Sequence, residues 1–263
     1  MSIRAVKKVV PSKPTLEGAG VKLRRAFGFG DTTDYDPFLL FDDFRNDRPE
    51  DYLAGFPWHP HRGIETITYV LAGTVDHGDS LGNRGSLGAG DIQWMTAGSG
   101  ILHQEMPKGD QAGRMHGFQL WSNLPASLKM TAPRYQDVQG KDVPEVVDDD
   151  GTTVRIVCGS FWGKTGPVEG VASDPRYLDI FVPPGVRKVT MSPSLAFSNA
   201  RAIGEIQLMY PRGVSISSTP TMLTVRSSPL VSRTVTVAPK KTWSALSSSR
   251  RASGSTTCAL SSR

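Results

Sequence analysis

Short runs of β-forming residues, separated by clusters of turn-forming residues, recur along the chain from residue 20 onward. The runs are rich in Val, Ile, Thr, Phe and Trp, and the clusters include DTTDYDP, DHGDSLGNRG, GAGD and TAGSG. β-Branched and aromatic side chains suit the pleated surface of a sheet, whereas Gly, Pro, Asn and Asp suit turns. Closely spaced strands with a weak helical signal predict an all-β sandwich or barrel. With 263 residues, 38% of them hydrophobic, the chain can bury a substantial core.

Five segments have the clearest strand pattern. Successive side chains of a strand point to opposite faces, so residues 65–73 place Ile67 and Tyr69 on one face and leave Thr66 and Thr68 partly outward. The other predicted strands are residues 86–98, 117–125, 152–163 and 176–185, the last two opening a second, similar unit. Residues 141–151 are acidic and turn-forming, which predicts a linker or exposed loop, and short helical turns are expected only near residues 125–130.

The net charge of +5 does not indicate a nucleic-acid partner once its distribution is considered. Residues 1–190 contain 24 acidic and 21 basic residues, whereas residues 191–263 contain one acidic residue, Glu205, and nine basic ones. The basic excess therefore belongs to the tail, and we expect no direct nucleic-acid binding.

The sequence also lacks the signals of a membrane or secreted protein. No apolar run reaches the roughly 18 residues of a spanning helix, and the start, MSIRAVKKVV, has no apolar signal-peptide stretch. We expect a cytoplasmic protein, present also in the nucleus if the source is eukaryotic.

Four side chains of metal-ligand type fall into two pairs of alternate residues. His59 and His61 form one pair, and His103 and Glu105 form the other. Residues i and i+2 of a strand project from the same face, so two such strands within one barrel can surround a single ion. Three imidazole nitrogens and one carboxylate suit Fe(II), Ni(II), Mn(II), Cu(II) or Zn(II). Four protein ligands would leave coordination positions for water, dioxygen or substrate.

Each pair taken alone has a simpler interpretation, because one such pair on a strand is more often a surface or hydrogen-bonded group. Glu65, four residues after His61, is a further candidate ligand, although we favour a supporting position behind the ligands. His116 is expected in the core or in a pocket wall, and His77 in a loop.

Large apolar side chains cluster around the ligand segments. Core packing is the expected role for all of them, and the alternative is an aromatic wall that would suit a flat phenolic ligand. They are Trp94, Met95, Met106, Phe118 and Trp121.

Four stretches around these residues resemble the pirin family, whose members are bicupins. They are DPFLLFDDF (36–44), GFPWHPHRGIETITYVLAG (55–73), GDIQWMTAGSGILHQEMP (90–107) and HGFQLWSNLP (116–125); YLDIFVPPG (177–185) more weakly resembles the start of a second cupin. The resemblance implies two packed cupin-type β-barrels, of which only the N-terminal one holds metal. It also implies an Fe(II) site formed by His59, His61, His103 and Glu105.

The resemblance stops near residue 190. Residues 191–263 contain seventeen serines and no histidine, where the family continues with further cupin strands. We therefore expect an intact N-terminal cupin domain with the metal site (1–135), a linker with the start of the C-terminal cupin (136–190), and an aberrant, poorly ordered segment rich in Ser, Thr and Arg (191–263). The second barrel would be incomplete. We interpret the change as a frameshift that replaces most of the second cupin's code, with a divergent basic tail as the alternative.

Some pirins are flavonol dioxygenases, so the resemblance implies a quercetin 2,3-dioxygenase type of reaction on a small aromatic substrate and dioxygen. In that reaction Glu105 would act as the catalytic base if it can move off the metal. The alternative that the family implies is an iron-binding redox sensor, which partners a transcription factor without turnover. A third outcome is an inactive chain, if loss of the second barrel removes stable activity.

Overall fold

β-Strands are the main regular structure of the described residues, as the sequence predicts. The computed structural model describes residues 2–4, 11–183, 187–191, 205–210, 221–228 and 231–237, with side chains for residues 11–183. The strands are β1 (Ser2–Arg4), β2 (Lys13–Glu17), β3 (Val21–Phe27), β4 (Phe38–Asp43), β5 (Phe56–His61), β6 (Ile64–Ala72), β7 (Thr74–Asp79), β8 (Arg84–Leu87), β9 (Ile92–Thr96), β10 (Ile101–Lys108), β11 (His116–Asn123), β12 (Arg134–Val138), β13 (Glu145–Val147), β14 (Thr153–Cys158), β15 (Ser160–Phe161), β16 (Lys164–Thr165), β17 (Arg176–Phe181), β18 (Arg187–Met191), β19 (Glu205–Tyr210), β20 (Thr221–Ser228) and β21 (Val231–Val237).

Helical structure is limited to single turns in the described residues. One short helix, α1 (Thr32–Tyr35), precedes β4, and 3₁₀ turns occupy Phe29–Asp31, Pro49–Asp51, Ala126–Leu128 and Gly140–Asp142. The turn at Ala126–Leu128 confirms the helical signal predicted near residues 125–130. Within the described part of the chain, no helix is both long enough and apolar enough to cross a membrane.

Two antiparallel sheets pack face to face in the N-terminal part. The larger has seven strands in the order β12-β9-β6-β11-β4-β3-β2, and the smaller has four in the order β5-β10-β7-β8. A core between them combines Val21 and Leu23 of the large sheet with Val75 and Leu87 of the small one. Alternation along each strand directs every second side chain into this interior.

The large sheet is also buried on its other face. There Ile67, Tyr69, Trp94 and Phe118 pack against a group that includes Tyr177 of β17. The Tyr69 hydroxyl donates to Asp179 Oδ2 at 2.8 Å. This second contact buries the face of Ile67 and Tyr69, whereas Thr66 and Thr68, predicted to point partly outward, face the small sheet and are both only 2% exposed.

Several predicted strands differ from the observed ones at their ends. Residues 86–98 comprise the end of β8, the predicted turn GAGD (88–91) and β9. Residues 141–151 are not all loop, since β13 pairs with β14 there. β12 pairs with β9 across the predicted domain boundary at residue 135, and that boundary stays a prediction.

The strands after residue 183 join two further sheets. β20 pairs in parallel with β17 and antiparallel with β21, within a five-stranded sheet β13-β14-β17-β20-β21. β18 and β19 form a three-stranded sheet with β1. The expectation that residues 191–263 are aberrant and poorly ordered concerns positions that mostly lie outside the described residues, and the incomplete second barrel likewise stays a prediction.

Two tight turns lie next to the strands that carry the histidines, one between β5 and β6 and the other between β9 and β10. The Gly63 N–H after β5 donates to the Gly98 carbonyl after β9 at 2.7 Å. Gly98 has a φ of +50°, and a Cβ atom there would lie 2.1 Å from the carbonyl oxygen of Thr131. Only glycine satisfies both the left-handed conformation and this close approach.

We expect Gly98→Ala to destabilise the protein by about 1–3 kcal/mol, because the new Cβ would strain the backbone and meet the Thr131 carbonyl. Urea unfolding followed by fluorescence measures the change. Gly30→Ala is the control, since a Cβ at Gly30 meets nothing within 4 Å. Equal stability of the two variants would contradict this account.

Candidate metal centre

The two predicted half-sites lie on neighbouring antiparallel strands. In the register of β5 and β10, His103 is directly opposite His59, and Ile101 is opposite His61. The Nε2 atom of His59 lies 3.1 Å from Nε2 of His61 and 3.0 Å from Nε2 of His103. The three rings therefore direct their Nε2 atoms at one point, as the period-2 spacing of the sequence predicts.

A local irregularity in β5 fixes the orientation of His59. The register between β5 and β10 shifts by one residue after His103, so that Glu105 pairs with Phe56. The Pro57 carbonyl then lies 2.8 Å from His59 Nδ1. A carbonyl oxygen can only accept, so Nδ1 carries a proton, and Nε2 is the nitrogen that could bind a metal ion. His59 therefore directs Nε2 at the other two rings.

Burial favours the neutral form of His61 and His103. Removal of His61 from water, with a smaller contribution from His103 and His59, lowers its pKa from 6.5 to about 4. Burial, assisted by His59 and His77, lowers the pKa of His103 to about 3. Both rings are thus uncharged near neutral pH, which is the form that binds metal.

The donor set fits a divalent metal ion. Within the described residues, His59, His61 and His103 form a group whose ligand atoms all lie within 4.8 Å of one another. Three imidazoles, two of them buried and one half-buried, cannot satisfy three converging lone pairs with one another. A cation at their common point would satisfy all three.

Glu105 lies beside this group. Its Oε2 atom is 4.0 Å from His103 Nε2, and its Oε1 atom accepts a hydrogen bond from the Thr68 hydroxyl at 3.0 Å. The Thr68 oxygen also lies 2.7 Å from the Gln119 side-chain amide. One hydroxyl hydrogen cannot serve both oxygens, so Thr68 donates to Glu105 when the Gln119 amide is turned to donate its N–H to Thr68. In that arrangement Thr68 holds the carboxylate and Gln119 orients Thr68, and the part of Glu105 as fourth ligand stays a prediction.

The favoured place for Glu65, behind the metal ligands, is wrong. Thr68 faces Glu105, so the alternation of β6 turns Glu65 to the opposite face with Ile67 and Tyr69. There its Oε1 accepts from the Thr96 hydroxyl at 2.9 Å. Burial raises its pKa, against smaller opposing effects of hydrogen bonds from Thr96 and Trp94.

The two remaining histidines lie outside the three-histidine group. His77 is in strand β7, not a loop, directly opposite Glu105, with Nε2 3.1 Å from the Gln93 side-chain nitrogen. His116 begins β11, and its side chain, 15% exposed, lies 2.5 Å from Asp47 Oδ1, so it is a largely buried, hydrogen-bonded histidine and not part of the cavity wall.

A cavity of about 490 Å³ opens next to the histidines, inside the N-terminal sandwich. His59, His61 and Glu105 line one part of it, and much of the remaining wall is apolar, including Leu40 and Trp121. This volume lies within the range of small-molecule sites, roughly 300–1,000 Å³.

Only part of the predicted apolar cluster is core. Trp94, Met95 and Phe118 are fully buried, as expected. Trp121 instead lines the cavity, with its ring 4.9 Å from that of His61 in an edge-on arrangement. Local sequence patterns predict no polar residue of the cavity beyond the ligands, because Thr68 and Gln119 reach it only through long-range strand pairing.

Comparison with known proteins gives the family. The pirin family model matches residues 20–122. A pirin-like protein of Caulobacter vibrioides is 50% identical over 186 residues, which cover 70% of this chain and 67% of that protein. The chain belongs to the pirin family. A candidate quercetin 2,3-dioxygenase of Pseudomonas aeruginosa is 45% identical over 188 residues, covering 70% of this chain and 66% of that protein.

Solved structures support the cupin-type fold of this pirin. A quercetin 2,3-dioxygenase from Acinetobacter baumannii is 34% identical, with a TM-score of 0.56, over 63% of this chain and 62% of the other. The match therefore spans about two thirds of the length of these relatives.

We expect His103→Ala to weaken Fe(II) binding more than tenfold, because loss of one of three converging nitrogens leaves an incomplete donor set. Iron content after anaerobic loading, together with the metal-dependent rise in Tm, measures the effect. His116→Ala is the control, since His116 is outside the cluster. Full iron occupancy in His103→Ala would contradict the assignment.

Proposed function

We propose that this chain is a metal-dependent dioxygenase of the quercetin 2,3-dioxygenase type, acting on flavonols. The observation that carries the proposal is the opening of the three-histidine cluster onto a largely apolar cavity of small-molecule size. The similarity to a solved quercetin 2,3-dioxygenase supports the same reaction class.

We further propose Fe(II) as the metal, with Ni, Mn, Cu and Zn as alternatives that the same donors can bind. His59, His61, His103 and Glu105 would hold it. A redox-active divalent ion supplies Lewis-acid polarisation of a substrate oxygen and electron exchange with dioxygen.

The protein's own contribution begins with proton transfer. Glu105 would accept the proton of the substrate's enolic hydroxyl on its Oε2 atom, the oxygen that is not bonded to Thr68, when that oxygen is not holding the metal. Thr68 would meanwhile keep Oε1 fixed, so that the carboxylate does not rotate away from the substrate. This arrangement makes Glu105 the catalytic base and Thr68 its positioning residue.

The cavity wall would orient a flat ring system. Trp121 stands edge-on beside His61, and Leu40 contributes further apolar surface. Burying apolar rings against such a wall excludes water from the reacting oxygens and fixes their orientation.

The Fe(II)-loaded protein is expected to consume dioxygen when quercetin is added, and His103→Ala is expected to consume none, since the metal would be absent. An oxygen electrode measures the rate, with His116→Ala as the variant that should retain uptake. If the iron-loaded protein binds quercetin but takes up no oxygen, the proposed dioxygenase function is overturned. That result would favour the alternative, an iron-dependent binding protein for a transcription factor.

Thr68→Val is expected to lower kcat for flavonol oxidation about tenfold at saturating Fe(II), because Glu105 loses the hydroxyl that holds its Oε1 atom. Thr68→Ser keeps the hydroxyl and should recover most of the rate. Steady-state kinetics at constant iron occupancy make the comparison. Equal kcat in the Val and Ser variants would show that the hydroxyl has no positioning role.

A further inference from the structure

A row of polar side chains crosses the inner face of the large sheet. In the strand registers, Arg25 of β3 pairs with Asp42 of β4, Asp42 with Gln119 of β11, and Gln119 with Thr68 of β6. Directly paired residues of neighbouring strands point to the same face. Three interstrand steps of about 4.8 Å place Arg25 roughly 14 Å from Thr68.

The row connects the metal centre with a second polar group in the same cavity. All four side chains line it. Thr68, at one end, donates to Glu105. Arg25 and Asp42, at the other end, form an ion pair, and Leu40 and Phe44 add apolar wall on the Asp42 side. A flat molecule of three rings matches a span of this length.

The ion pair keeps hydrogen-bonding capacity for a ligand. Arg25 donates from Nε to Asp42 Oδ1 at 2.8 Å and from Nη2 to Asp42 Oδ2 at 2.7 Å. Nη2 also lies 2.7 Å from Glu17 Oε1. Within the described residues, Nη1 has no partner, so its hydrogens can be donated. Each Asp42 oxygen accepts one bond from Arg25 and keeps a lone pair.

The charges of this group select the kind of ligand. Arg25 faces two carboxylates, Asp42 and Glu17, so the group carries a net charge of −1. An anionic substituent would meet repulsion there, although the partial exposure of Glu17 weakens it. A neutral hydroxyl can donate to a free lone pair of Asp42 and accept from Arg25 Nη1, so it uses both the free acceptor and the free donor of the ion pair.

A comparable ion pair lies on the opposite face of the large sheet, away from the cavity. Arg45 and Asp43 form the same bidentate pair from the neighbouring position of β4, on the opposite face of the sheet. Asp42 is the more buried carboxylate, 5% exposed against 10% for Asp43. Burying a charged pair in a cavity wall costs desolvation that an apolar pair would avoid.

We infer that Arg25 and Asp42 form a second subsite of the cavity, which binds a neutral phenolic hydroxyl on the substrate ring farthest from the metal. This rests on the proposed function and adds its specificity determinant: flavonols that carry such a hydroxyl are preferred over those that lack it.

The test compares four ligands: 3-hydroxyflavone, its 4′-hydroxyl and 7-hydroxyl derivatives, and its 4′-carboxylate. For the wild-type, Fe(II)-loaded protein, kcat/KM should be about fivefold to tenfold higher for at least one hydroxyl derivative than for 3-hydroxyflavone, the effect of one or two hydrogen bonds. The carboxylate should be worse than 3-hydroxyflavone. No preference for either hydroxyl derivative, or a preference for the carboxylate, would overturn the subsite.

The decisive variant is Arg25→Met/Asp42→Leu, which removes both charges together and leaves neither partner unpaired. The hydroxyl preference should fall to about one. Arg45→Met/Asp43→Leu is the matched control on the opposite face and should keep the preference. Thermal unfolding checks both folds, and Asp42→Asn, which replaces one acceptor oxygen, gives a milder loss if the double variant fails to fold. A preference that survives in both Asp42 variants would refute the inference.

Binding separates this inference from the proposed function. Absorbance titration of the same four ligands gives Kd values that do not depend on turnover. If none is oxidised, the dioxygenase proposal fails, while the ratio of Kd values still decides the subsite.

Discussion

The antiparallel pairing of β5 with β10 is the constraint on which the centre depends. It sets His59 directly opposite His103 and brings His61 to the same point. Because the side-chain period of a strand is two, a register slip of one residue would turn one pair of ligands away from the other. The hydrogen bond between Gly63 and Gly98 ties together the turns next to both segments and so holds this register.

The same alternation explains what the sequence could and could not predict. His59, His61 and His103 could be predicted from the sequence, because each pair of alternate residues lies within one strand, where spacing alone fixes the face. Glu65 and Thr68 were misplaced because both faces of β6 are buried: Thr68 faces the cavity, and Glu65 lies on the face that the second core covers. Arg25 and Asp42 need the register of distant strands, which local patterns do not contain.

Electrostatics divides the cavity into two ends. At the metal end, burial keeps His61 and His103 neutral, so that their nitrogens offer lone pairs without mutual charge repulsion. At the other end, Arg25 is compensated by Asp42 and Glu17. The charges at the second end are therefore compensated, and the apolar wall between the two ends provides most of the contact area for a ligand.

The large sheet is buried on both faces, so its outer face depends on strands that follow the N-terminal sandwich in the chain. Thr68 serves the cavity, while its neighbour Tyr69 packs outward against Tyr177 and bonds to Asp179. A fragment ending at residue 135 would expose a contiguous apolar surface that promotes aggregation, formed by Ile67, Tyr69, Trp94 and Phe118. The strands that follow the metal-binding sandwich therefore bury the apolar outer face of its large sheet.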